Sequence, residues 1–216
     1  MAKSAGRVGP RARALAFCAV AAASGVALGT AAPAAAAETG EAALVIRKRQ
    51  LPDAVAPIVL VSVRVPDLRP EQLFAVAWDV RTQARWAPRI KLLEILRADA
   101  NEWIIYEQVD VPVTKDRDYV LRLQATARGE GGLYQIKASA PPGYPRPLDP
   151  QHVRMTDLWS QWNFRPEPTG GTLVSYESYG DPAGSLPGWL KKAAAERGPV
   201  DFVKALLAET RRRAQP

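Results

Sequence analysis

The stretch Pro112-Val-Thr-Lys-Asp-Arg-Asp-Tyr-Val-Leu-Arg-Leu123 carries the pattern with the most chemistry in this chain. Read at period two, Arg117, Tyr119, Leu121, Leu123 and Ala125 fall on one face, and Asp118, Val120, Arg122, Gln124 and Thr126 on the other. That alternation is a strand with one apolar face. Arg117 stands on the apolar face. Either it lies at the strand's end and reaches water, or it is the polar floor of a cavity. In Trp103-Ile-Ile-Tyr-Glu-Gln-Val109, the same rule groups Trp103, Ile105, Glu107 and Val109. Glu107 thus meets Arg117 on the same kind of face, one strand earlier, and a buried Glu107–Arg117 ion pair is expected. Such a face suits an apolar molecule with one polar group. Alternatively, Glu107, Arg117 or Tyr119 would serve as acid–base or oxyanion groups in an enzyme.

Other chemistry is scarce. The chain has one histidine, His152, and one cysteine, Cys18. A zinc site built on nitrogen and sulfur is effectively excluded. A Ser-His-Asp triad could use only His152, which follows a proline-rich loop. There is no Gly-x-Ser-x-Gly, phosphate loop or dinucleotide fingerprint, so no cofactor or metal is expected. Trp103, Tyr106, Tyr134, Trp159, Trp162, Tyr176 and Tyr179 read mostly as core or sheet residues. Trp86 most simply caps the packing of a short helix. Lys191, Lys192 and Arg211 to Arg213 read as a solvated helix face and tail, or as a contact for an anionic membrane surface.

The frame that must hold these residues starts late. Residues 1–14 carry Lys3, Arg7, Arg11 and Arg13 and no acid; an apolar run follows and ends in Ala32-Ala-Pro-Ala-Ala-Ala-Ala37. Basic, apolar and small-residue regions in that order mark a secretory signal peptide, residues 1–37, with cleavage expected after Ala37. Residues 38–216 then form a single domain, periplasmic or secreted. Four basic residues leave with the signal, so 25 basic face 22 acidic residues, a charge of +3 against +7 for the whole chain. No nucleic-acid partner is expected, and the domain reads as a monomer. Cys18 lies in the signal, so the domain must be held by its core without disulfides.

The pattern within the domain is two strands (43–50 and 56–65), then two short helices near 70–79 and 81–86. Strands follow at 90–96, 102–110, 118–128, 133–140, 152–165 and 172–180. Pro141-Pro-Gly-Tyr-Pro-Arg-Pro147 is a surface loop. A helical C-terminus carries the apolar stripe Leu186, Trp189, Leu190, Ala193, Val200, Val203, Leu206 and Leu207, and Gly198-Pro199 should kink it into one long broken helix. Runs of strands with few helices indicate α+β, with a curved antiparallel sheet covered by the last helix.

At this point the residues resemble the START lipid-transfer domains of the helix-grip superfamily. The resemblance rests on Trp78-Asp79…Arg85-Trp86, Tyr106-Glu107 and Asp116-Arg-Asp-Tyr-Val120. It continues through Trp162-Asn-Phe-Arg-Pro166 and Asp181-Pro-Ala-Gly-Ser-Leu-Pro-Gly-Trp-Leu190, and spans about residues 44–210. It implies a sheet gripping the long C-terminal helix around an internal hydrophobic tunnel, with Glu107 and Arg117 as the tunnel's polar pair. Glu107, Arg117, Tyr119, Leu121, Trp103, Tyr176 and Trp189 are the residues expected against a ligand. The partner expected is a lipid or other hydrophobic small molecule, with transient membrane contact. The superfamily also contains polyketide cyclases and aromatases, and a ligand-sensing, partner-binding domain is a third reading. Two departures stand out: the helix usual before the first strand is missing or reduced, and Lys192 replaces the asparagine that usually follows Trp-Leu-x.

Overall fold

Alternating burial along each strand sets the sheet. The computed structural model describes residues 43–215; the expected signal peptide lies outside the described residues. β1 (Val45–Arg49) pairs with β2 (Ile58–Val65), in which Val59, Val61, Val63 and Val65 are all buried. Two short helices follow, α1 (Pro70–Trp78) and α2 (Val80–Trp86). Pro70 occupies the first turn of α1, where its missing N–H costs nothing, and the Arg69 amide donates to Gln72 Oε1 at 2.9 Å. Then come β3 (Ile90–Asp99), β4 (Glu102–Val109), β5 (Arg117–Thr126) and β6 (Tyr134–Ser139). β7 (Val153–Arg154), β8 (Leu158–Pro166) and β9 (Thr172–Gly180) complete the sheet, and α3 (Gly188–Ala214) closes the chain.

The strands form one nine-stranded sheet in the order β1-β2-β9-β8-β6-β5-β4-β3, with β7 beside the start of β5. Every pairing is antiparallel except β5 with β7. The α+β helix-grip architecture expected from the sequence is the one the chain adopts. Val203, Leu206 and Leu207 of α3 share a buried core with β2, β8, β9 and Leu73 of α1. Each such side chain contributes about 1.5–3 kcal/mol of burial.

Two expectations about the elements are corrected. The single strand expected over 152–165 is divided into β7 and β8. The expected break at Gly198-Pro199 is absent: α3 runs uninterrupted over 27 residues with Pro199 inside it. Proline removes the bond to the residue 195 carbonyl, but Leu190 on one side and Val203 and Leu206 on the other are buried, so packing holds both halves helical. The C-terminal arginines are paired rather than a free basic tail. Arg211 meets Asp67 at 2.8 Å, Arg213 meets Asp79 at 2.8 Å and Arg212 meets Glu209 at 2.7 Å.

The outer face of the sheet has its own small core of Ile104, Tyr106 and Val120, with Leu96 and Tyr144 packed against it. Asp118, 1% exposed, accepts from the Tyr106 hydroxyl at 2.9 Å and from Arg154 Nε and Nη2 at 2.9 and 2.8 Å. The Arg146 guanidinium lies 3.6 Å from the Tyr106 ring centre. Through these contacts the proline-rich loop is strapped across β4 and β5.

Candidate ligand-binding site

β4, β5 and β6 turn Ile105, Leu121, Leu123 and Ile136 inward, while α2 and α3 lie over them. Between these layers is a cavity of about 540 Å³, within the range of sites that hold one drug- or lipid-sized molecule. The C-terminal half of α3 is packed down, so the space is left under its first half. The cavity reaches the surface where Val111-Pro-Val113 and Trp189 border it. Val113 is 86% and Trp189 66% exposed.

Glu107 and Arg117 both border this cavity and are 2% and 1% exposed. They are not the ion pair the alternation pointed to. Across β4 and β5, Tyr119 stands opposite Glu107, and Val109 stands opposite Arg117. Arg117 instead donates to main-chain oxygens: Nε to Pro182 at 3.0 Å, Nη2 to Ala183 at 3.2 Å and Nη1 to Lys115, with a further bond from Nη1 to Thr114 Oγ1 at 3.1 Å. It therefore ties the β4–β5 loop to the linker that enters α3. The expected coincidence of face was correct; the expected contact was not, because face does not fix which neighbour a long side chain reaches.

Among the described residues, Glu107 is left with no cation. Its Oε1 is buried with no hydrogen-bond partner. Burial pushes its carboxyl up to about 7, against the Tyr119 hydroxyl, which acts to lower it. Tyr119 is held well above its ordinary value by burial and then by the charge of Glu107. Burial likewise pushes Tyr176 up to about 12, partly offset by the Ser160 hydroxyl. Glu107 Oε1 is thus a strong, unused hydrogen-bond acceptor at a mostly apolar space.

Of the other expected residues, Tyr119, Leu121, Tyr176 and Trp189 do border the cavity. Trp103 does not. Its ring packs edge-on against Trp78, at 5.9 Å, and under the Arg81 guanidinium, at 4.7 Å, so α1 and α2 take it out of reach. Gln83 and Trp86 border the cavity and were not expected there. The available signal was their spacing, three apart on one helix, which places them on a common face.

A family model described as START domain matches residues 43–215. A curated relative, an uncharacterized protein of Pseudomonas aeruginosa, is 24% identical over 140 residues, covering 64% of this chain and 68% of the relative. Among solved structures, a STAR-related lipid transfer protein fragment from Xanthomonas axonopodis is similar with a TM-score of 0.69 and 23% identity, covering 80% of this chain and 99% of that one. Human StAR-related lipid transfer protein 5 gives 0.67 and 16%, covering 83% and 90%. The Zhui aromatase/cyclase of a Streptomyces species gives 0.54 and 18%, covering 73% and 95%. At these identities the structural likenesses speak to fold. The family match spans the described residues, with the sheet and the gripped helix in place: the chain belongs to the START domain family.

Proposed function

We propose that this domain is an exported, non-catalytic carrier that holds one lipid or other hydrophobic small molecule between the sheet and α3. One observation carries the reading: an apolar cavity of about 540 Å³ bordered by a single buried carboxyl whose Oε1 has no partner. Buried polar groups are ordinarily satisfied, so Glu107 fits a ligand that is apolar overall and donates one hydrogen bond. The exposed Val113 and Trp189 at the rim, beside Lys115 and Lys191, fit a transient landing on a membrane surface during loading. The signal-like residues 1–37 support export to the periplasm or beyond. The test is native mass spectrometry of protein purified from its own host. A stoichiometric co-purifying hydrophobic molecule, on a chain beginning at or near Glu38, is the expected result. Protein that is empty from its host and takes up no lipid from vesicles would overturn the reading.

A second reading has its own support. A carboxyl near 7 with a tyrosine hydroxyl directed at it is suited to proton transfer at neutral pH. Glu107 and Tyr119 would then serve an enolising or cyclising reaction on a polyketide-like substrate. Turnover of such a substrate, lost in Glu107→Gln, would favour the enzyme over the carrier.

A further inference from the structure

The geometry points to a second polar subsite in this cavity, on α2, where the Trp86 indole N–H receives a hydrogen-bond acceptor of the ligand. The molecule held is then a hydrophobic one with a hydroxyl for Glu107 and, apart from it, an oxygen acceptor such as an ester or ketone carbonyl. This rests on the reading of the cavity as a ligand site.

Trp86 ends α2 and borders the cavity together with Gln83, one turn earlier on the same helix. Its ring is fixed. It stacks on Phe202 of α3, with centroids 5.6 Å apart and planes 9° from parallel. Phe202 is in turn held against Tyr176 at 5.5 Å and Trp162 at 5.4 Å. The direction of the N–H is thus set by three other rings, and Nε1 is buried with no acceptor among the described residues. A buried indole N–H ordinarily finds a partner. Glu107 Oε1 is the complementary case on another wall: an acceptor without a donor. One molecule lying in the cavity with both functions satisfies both walls. Trp103 Nε1 also lacks a partner, but that ring lies outside the cavity lining, between Trp78 and Arg81. It serves as the internal control.

The experiment measures affinities of octadecanol, methyl octadecanoate and methyl 12-hydroxyoctadecanoate at about pH 8.5, above the Glu107 value of about 7, where the carboxylate only accepts. Trp86→Phe keeps the stack on Phe202 and removes the N–H. It should weaken both esters by about three- to tenfold, the loss of one hydrogen bond, and leave octadecanol within about twofold. Trp103→Phe should change none of the three. If Trp86→Phe folds poorly, 3-benzothienylalanine at position 86 replaces the N–H by sulfur in a ring of the same shape. Unchanged ester affinities overturn the inference. So does an equal loss for all three ligands, which is lost packing rather than a lost hydrogen bond. Failure of all three to bind the unaltered protein overturns the cavity reading itself and the inference with it.

Discussion

Arg117 and Glu107 share a cavity wall without meeting: the guanidinium reaches the carbonyls of Lys115, Pro182 and Ala183, while the carboxyl faces Tyr119. Each is buried on its own terms. The arginine is satisfied by main chain, and the acid lies close to neutrality.

Stability should therefore respond to the two residues independently. Arg117→Met strips the donors from three carbonyls and Thr114 and should cost about 2–4 kcal/mol. Glu107→Leu removes an unsatisfied acceptor but strands the buried Tyr119 hydroxyl that donates to it, and should cost about 1–2 kcal/mol. In a denaturation double-mutant cycle the coupling should stay below about 0.5 kcal/mol. A coupling of several times that would mean the charges interact directly.

The same carboxyl makes stability depend on pH. Burial raises Glu107 from 4.5 to about 7 in the folded protein. Between those values the folded state keeps a proton that the unfolded chain has released. Its contribution is complete below about pH 4.5 and is lost as pH rises through 7. Glu107→Gln is neutral throughout and lacks that slope. Thermal or urea unfolding should show the wild type losing up to about 3 kcal/mol relative to Glu107→Gln between about pH 5 and pH 8. Parallel curves for the two proteins would contradict a buried, elevated carboxyl.

On the outer face, Asp118→Asn should cost about 3–5 kcal/mol, because it leaves the Arg154 guanidinium without its carboxylate. The exposed Arg122–Glu102 pair is the contrast: Arg122→Ala should cost no more than about 1 kcal/mol. Hydrogen exchange should quicken in Asp118→Asn at the Tyr144 and Arg146 amides of the proline-rich loop.

Val113 should matter for exchange more than for affinity. It is 86% exposed at the rim and in a left-handed conformation, φ 61°. Val113→Asp should slow lipid transfer between anionic vesicles by about three- to tenfold, through lost contact with the bilayer, while the Kd stays within about twofold. Equal transfer rates would place the membrane contact elsewhere.

What the sequence made legible follows from what periodicity encodes. Alternation placed Arg117, Tyr119, Leu121 and Glu107 on one inward face, and all four border the cavity. It did not reveal that the linker at Pro182 and Ala183 would come close enough to take the guanidinium. That contact joins residues 65 and 66 apart, and no local pattern records it. Trp103 obeyed the alternation and still missed the cavity, because α1 and α2 cover that end of β4. Trp86 was read as packing, which it is; that its ring also borders the cavity depends on Phe202, far along the chain. Pro199 was read from its own chemistry, but burial on both sides of it decided the helix.

Consecutive residues at the start of β5 face opposite ways: Arg117 sits among carbonyl oxygens, and Asp118 between Tyr106 and Arg154. A slip of one residue that put Asp116 and Arg117 in the places of Arg117 and Asp118 would bring a carboxylate to the carbonyls of Pro182 and Ala183 and a guanidinium to Arg154. Both substitutions set like against like in a dry place, since a one-residue shift exchanges the two faces. The Arg-Asp pair thus penalises that misregistered sheet, and with it the linker that carries the chain into α3.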